Sequence, residues 1–169
     1  MILAPYPVLS GRVLQAPNGV AGAHHTLRVM RQLINAAKLD VDIISAATSC
    51  AFNVGERDSL GECGAVFTWV RDSVRYQMDP AGVETLCEPR VTLQRRVGDC
   101  DDKTSLLCAM LESLGYPTRL VMAGYSQPGW FEHVYCVVLC DGEWFACDAT
   151  EQQPFGWEPP NPVTYHVES

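Results

Sequence analysis

Three side chains in this sequence are of the types that together carry out nucleophilic acyl transfer: Cys100, His133 and Asp148. A thiol attacks a carbonyl carbon as its thiolate, so it needs a base to take its proton, and the base needs a group to hold its ring. Cys100 stands in Gly98-Asp99-Cys100-Asp101-Asp102-Lys103-Thr104-Ser105, a polar run that leads into Leu106-Leu107-Cys108-Ala109-Met110-Leu111. The switch from polar turn to apolar periodicity predicts a helix start with the thiol on its first turn. Unpaired backbone N–H groups and the positive end of the helix dipole favour thiolate there. Asp101 and Asp102 pull the other way, because a neighbouring anion raises the cost of a second one. The thiol therefore needs a cationic partner.

The elements that must supply that partner lie downstream. Phe131 to Leu139 is a run of β-branched and apolar residues around His133, and Trp144 to Thr150 is a second run that carries Asp148. Between them, Cys140-Asp141-Gly142-Glu143 contains an Asp–Gly pair, a strong two-residue hairpin signal. An antiparallel pair joined this way can set His133 and Asp148 side by side.

The Gly98–Asp102 run resembles the transglutaminase-like superfamily of papain-type thiol enzymes. The resemblance extends through Leu106 to Tyr116 with Pro117-Thr118-Arg119, then Glu132-His133-Val134, then Trp144 to Asp148. It implies a Cys100–His133–Asp148 triad, with the Cys on a central helix and the His and Asp on successive strands. It also implies that the loop holding Tyr76 runs past the cleft. By analogy with the amide donor of papain-like enzymes, Gln94 is the oxyanion candidate, with Tyr76, Trp69 and the Cys100 N–H as competitors. Many members carry Trp two residues after the His; here the residue is Tyr135.

The bulk composition bounds the rest. A chain of 169 residues with 47% apolar content is long enough for one domain with its own core. Lys and Arg number 12 against 20 Asp and Glu, a net charge of −8, which argues against nucleic acid or an anionic membrane as partner. No apolar run reaches the ~20 residues of a membrane helix, and Met1 to Pro7 lacks a signal-peptide pattern. The expectation is a protein cytoplasmic when synthesised. Its eight cysteines then read mostly as buried, reduced, small hydrophobes.

Residues 1–20 read as an extended arm, with a short Val8–Leu14 run as a candidate strand. Helical spacing is expected over Gly22–Leu39, Asp40–Phe52 and Asp58–Val74. Gly61 and Gly64 weaken the third helix, and their spacing suggests close approach of another backbone. Residues 75–96 read as a long irregular connection with a turn at Asp79-Pro80-Ala81-Gly82. The central helix should stop at Gly115, followed by a strand over Thr118–Tyr125 and a loop whose Tyr125 and Trp130 wall the cleft. Residues 151–169 form a proline-rich tail, packed on the domain or docking a partner, with an edge strand at Val163–Val167. His24 and His25 read as helix-start residues rather than metal ligands. A zinc site at Cys136, Cys140 and Cys147 is disfavoured because tight Cys-x-x-Cys knuckles are absent.

The expected architecture is α+β: N-terminal helices and a central Cys-bearing helix packed on an antiparallel sheet, with residues 21–150 as the catalytic domain. The expected function is a cysteine peptidase or amidase acting on a peptide or protein amide, without metal or organic cofactor; water or an amine as acyl acceptor stays open. The alternative is a structural or assembly protein, such as a phage particle component, that keeps the fold as scaffold and binds neighbours through its proline-rich ends.

Overall fold

The computed structural model describes residues 20–79 and 85–168. All but the last residue of the N-terminal arm, the Val8–Leu14 strand and most of the Asp79–Gly82 turn lie outside the described residues. Three helices come first: α1 (Val20–Ala37), α2 (Val41–Ala51) and α3 (Ser59–Ser73). Two of them start at aspartate caps, as the sequence pattern requires. Asp40 accepts from the Asp42 N–H at 2.8 Å, and Asp58 accepts from the Gly61 N–H at 2.8 Å. Gly61 is there for that cap: a Cβ would run into the Asp58 carboxylate and Val54, while Gly64 faces open space. The expected backbone approach across this glycine pair is absent from both positions.

The stretch read as an irregular connection also differs. It contains β1 (Arg75–Tyr76), α4 (Pro89–Arg95) and β2 (Val97–Gly98). A single seven-residue helix is too short to show periodicity, and its signal was the Pro89 at its first position, where no N–H is needed. Strands β1 and β2 pair in parallel over two residues, Arg75 with Val97 and Tyr76 with Gly98. That bridge lays Tyr76 along the turn that enters the next helix.

That helix, α5 (Cys100–Ser113), is the centre of the molecule. Every residue from Asp101 to Leu111 is buried, and α1, α2, α3, α4, β3 and β4 all pack on it. A helix covered on all sides cannot show an apolar stripe, which is why Leu106 to Leu111 run without a polar break. Truncating one of these, such as Leu107→Ala, costs about 2–5 kcal/mol. The helix stops in a Schellman turn: Gly115 at φ 95° donates to Glu112 O, and the Tyr116 N–H donates to Leu111 O.

Four strands follow: β3 (Thr118–Gly124), β4 (His133–Cys140), β5 (Glu143–Cys147) and β6 (Thr164–Val167). They form one antiparallel sheet in the order β5-β4-β3-β6. Between β4 and β5, Asp141 (φ 50°) and Gly142 (φ 88°) make the two-residue turn with both residues left-handed. That turn fixes Cys140 opposite Glu143 and carries the register up to Cys136 opposite Cys147. One sheet face packs on the helices, and the other buries Val121, Ala123, Tyr135 and Ala146 in a smaller cluster.

The edge of the sheet is tied back to the helices by charge. Arg31 on α1 binds Glu112 of α5 at 2.5 Å and Glu168, just past β6, at 2.6 Å. Lys38 adds a second contact to Glu112 at 2.9 Å.

Candidate active site

Asp99 caps α5 with extended backbone, accepting from the Asp102 N–H at 3.3 Å, so Cys100 occupies the first helical position. Gly98 has no room for a side chain because a Cβ would strike Asp102. Asp102 itself turns aside and accepts from the Cys87 N–H at 2.8 Å. One turn further on, the Thr104 hydroxyl donates to Val134 O at 3.1 Å, which locks α5 against β4 beside the thiol.

His133 opens β4 and Asp148 follows β5. With Cys136 opposite Cys147, Asp148 is the diagonal neighbour of His133, and His133 Nε2 lies 2.7 Å from Asp148 Oδ2. Asp148 is 2% exposed. Its other oxygen accepts from the Thr150 N–H at 3.0 Å and the Thr150 hydroxyl at 2.5 Å. Burial alone would raise this carboxyl; the hydrogen bond and charge of His133 and the two bonds from Thr150 outweigh it and hold Asp148 below the ordinary carboxylate range. The second ring nitrogen, Nδ1, has no hydrogen-bond partner among the described residues.

Cys100 and His133 line one cleft of about 300 Å³, together with Asp101, Met122, Trp130, Phe131 and Glu132 and the inner side of α1. In this structure the thiol donates to Asp101 Oδ1 at 3.6 Å. Burial, then the charges of Asp101 and Asp99, push the Cys100 thiol well above its ordinary value. A backbone hydrogen bond from Val134, next to His133, works in the opposite direction. The opposition foreseen from the flanking aspartates is thus real, but its second carboxylate is Asp99 and not Asp102.

The remaining candidates divide. Trp130 lines the cleft and is half-exposed; its approach depends on Gly124, where any side chain would collide with Trp130 O. Tyr76 is 45% exposed beside the Asp99–Cys100 turn and does not line the cleft. Burial and then the charges of Cys100, Asp99 and Asp101 raise its phenol. Gln94 points away from this geometry: it is exposed on α4 and does not line the cleft. Trp69 is engaged by Arg96, whose guanidinium lies 4.2 Å from its ring centre. Tyr125 is exposed and is likewise outside the cleft lining. His24 packs edge-on against His166 with ring centres 4.5 Å apart. Among the described residues, no group of three or more His, Cys, Asp or Glu side chains is arranged to hold a metal ion.

Lys103 was not legible as part of this region. It is 2% exposed, and its Nζ donates to Arg71 O at 3.2 Å and Val74 O at 2.6 Å. A lysine one turn into α5 thus caps the C-terminal end of α3. Burial lowers its pKa to about 8, while the charges of Asp148 and Asp72 oppose the shift. Nothing in the local sequence distinguishes it from a surface lysine.

The sequence pattern of the transglutaminase-like superfamily matches residues 48–149, more than half of the chain. The chain belongs to the transglutaminase-like superfamily. Solved structures with the same fold include a candidate cysteine protease from Cytophaga hutchinsonii, at 18% identity and a TM-score of 0.54 over 75% of this chain and 50% of that one. A candidate protease from Parabacteroides distasonis matches at 10% identity and a TM-score of 0.62, over 90% of this chain and 32% of that one. A structure described as a TGase matches at 16% identity and a TM-score of 0.47, over 88% of this chain and 35% of that one. This superfamily member thus spans half or less of each of these structures. No curated protein matches it. Among the described residues no helix is long and apolar enough to cross a membrane.

Proposed function

We propose that this superfamily member is a thiol-dependent acyl-transfer enzyme, a cysteine peptidase or amidase acting on a peptide or protein amide. The observation that carries the reading is the 2.7 Å pair between His133, which opens β4, and Asp148, just past β5, at a cleft that Cys100 also lines. Asp148 occupies Nε2 and so leaves Nδ1 as the atom that takes the thiol proton. The Cys100 sulfur then bonds the amide carbon, and His133 returns the proton to the departing amine. Water, deprotonated by the same nitrogen, releases the acyl group and restores the thiol.

The Cys100 N–H is the oxyanion donor favoured by the helix. The Asp102 and Lys103 N–H groups are taken up by Asp99, whereas the first N–H of α5 has no intrahelical partner. Tyr76, paired with Gly98 but outside the cleft lining, is the remaining side-chain candidate. The packing of the C-terminal segment onto α3 and β5 supports an enzyme reading over a docking arm: Arg71 of α3 donates to Gln153 O at 2.9 Å, and the Phe155 ring lies 5.8 Å from those of both Phe145 and Phe67.

The test is acylation. The protein is incubated with a library of fluorogenic peptide amides, quenched in acid, and mapped by mass spectrometry for a thioester on Cys100, with and without added primary amine. The expected result is an acyl adduct on Cys100, turnover lost in Cys100→Ala, and turnover reduced about 10²–10⁴-fold in Asp148→Asn. Turnover that persists in Cys100→Ala overturns the assignment. Absence of any adduct across the library favours the assembly-protein reading.

A further inference from the structure

Five of the eight cysteines are fully inside the protein: Cys63, Cys108, Cys136, Cys140 and Cys147. They come from α3, α5, β4 and β5, and their sulfurs keep different company. Cys136 donates to Cys147 O at 3.7 Å and Cys147 to Phe145 O at 3.6 Å, and Cys136 also interacts with the thiols of Cys108 and Cys147, so these three share their contacts among thiols and backbone carbonyls. Cys140 is different. Its sulfur lies 3.0 Å from the sulfur of Cys63, 77 residues earlier in the chain, and each has the other as its hydrogen-bond partner. Two sulfurs that are not bonded ordinarily rest further apart. Closing this gap to a disulfide of about 2.05 Å takes a movement of only about 1 Å.

We propose that Cys63 and Cys140 form a redox modification site, which a two-electron oxidant such as hydrogen peroxide converts to a disulfide joining α3 to the end of β4. Cys140 is the sulfur that reacts first. Both thiols belong to the buried core, but Cys140 lies directly before the exposed Asp141–Gly142 turn, whereas Cys63 is enclosed in the second turn of α3. Burial raises both thiols, but contact with the other sulfur works to lower Cys140 and to raise Cys63. The Cys140 thiolate attacks one peroxide oxygen, breaking the O–O bond and forming a sulfenic acid; the released hydroxide takes up a proton as water. The Cys63 sulfur then bonds Cys140 and displaces the sulfenic hydroxyl, which leaves as a second water with the Cys63 proton. Two electrons pass from the two sulfurs to the peroxide. Cys100 is not part of the bond.

The effect of the bond is mechanical. Neighbouring Glu62 already receives the Tyr116 hydroxyl at 2.5 Å, so α3 and the start of the sheet are in contact at this point. A disulfide makes that contact permanent, and the loop it closes in the unfolded chain is long.

The experiment uses the full chain carrying Cys100→Ala, so that oxidation at the cleft does not compete, treated with hydrogen peroxide under native conditions and then digested without reductant. The expected result is a cross-linked Cys63–Cys140 peptide, loss of two hydrogens from the intact mass, and a thermal midpoint raised by about 10 °C. Dithiothreitol should reverse the shift, and Cys63→Ser and Cys140→Ser should each abolish it. Recovery of both cysteines as free thiols, or a dominant link between any other pair, overturns the proposal. The peptide map does not depend on the serine variants folding.

Discussion

The Tyr135 hydroxyl donates to Glu158 Oε1 at 2.6 Å, and the Tyr135 ring stacks on the imidazole of His133 with centres 5.9 Å apart and planes 23° apart. A residue of the proline-rich C-terminal segment is thereby connected, through one side chain, to the histidine of the candidate site. Tyr165 donates to the same Glu158 oxygen at 3.1 Å, which adds the edge strand to the arrangement. Burial and then Glu158 hold the Tyr135 phenol far above its usual range, so it remains a donor at any physiological pH. The segment after Thr150 acts as a brace for β4.

Tyr135→Phe keeps the ring against His133 and removes only the anchor. The expected loss is about 1 kcal/mol in urea unfolding, because a part-buried bond to a carboxylate disappears while the packing stays. Tyr135→Ala should lose about 3–5 kcal/mol, since a nearly fully buried ring goes with it. Equal stability of the wild type and Tyr135→Phe would show that the Glu158 bond contributes nothing.

Asp101 sets the resting state of the thiol. With the sulfur donating to Asp101 and pushed up by burial and by two carboxylates, Cys100 of the free protein should alkylate slowly with iodoacetamide at neutral pH. The rate should climb only on the alkaline side of an ordinary thiol. Asp101→Asn removes an adjacent anion, so the rise should move to lower pH by about one unit. The site-resolved pH profile of Cys100 labelling, obtained by peptide mapping, decides the matter; superimposable profiles would exclude Asp101 as the controlling charge.

Asp99 gives stability its own pH dependence. Burial and the charge of Asp102 raise its carboxyl to about 6, against about 3.9 in an unfolded chain. The folded state thus holds the proton more tightly, and the contribution is full below about pH 4, declines from pH 4 to 6 and is absent above. Its size is at most about 3 kcal/mol, reduced by the share of the side chain that water reaches. Asp99→Asn retains a capping oxygen and cannot titrate. The stability of the wild type relative to this variant should therefore fall between pH 4 and 6.5 in urea titrations. A constant difference across that range would rule the shift out.

Much of this molecule could be read from local sequence because the responsible physics is local. Asp40, Asp58 and Asp99 cap helices within three residues of themselves, Gly115 ends α5, and Asp141-Gly142 selects a two-residue turn. The same turn makes the His133–Asp148 pair legible, since a hairpin of known loop length sets the register, and with Cys136 opposite Cys147 it puts Asp148 diagonal to His133 on one face. The α4 helix was hidden because one short helix carries too few residues to show a period. Gln94 could not be ruled out as an oxyanion donor from sequence for the same reason: its direction depends on which side of α4 packs on α5.

The sequence by itself determined the three N-terminal helices, α5 and the strands after it, the order of Cys100, His133 and Asp148, and the superfamily, because periodicity, caps and turn residues act over a few positions. The tertiary structure alone decided the company these residues keep. It buried Lys103 under the end of α3, turned the Cys100 thiol toward Asp101, brought Cys63 to Cys140 across 77 positions and carried Glu158 back to Tyr135. Those pairings depend on how helices and sheet close around α5, and no local pattern encodes a distance between residues that meet only after the core has formed.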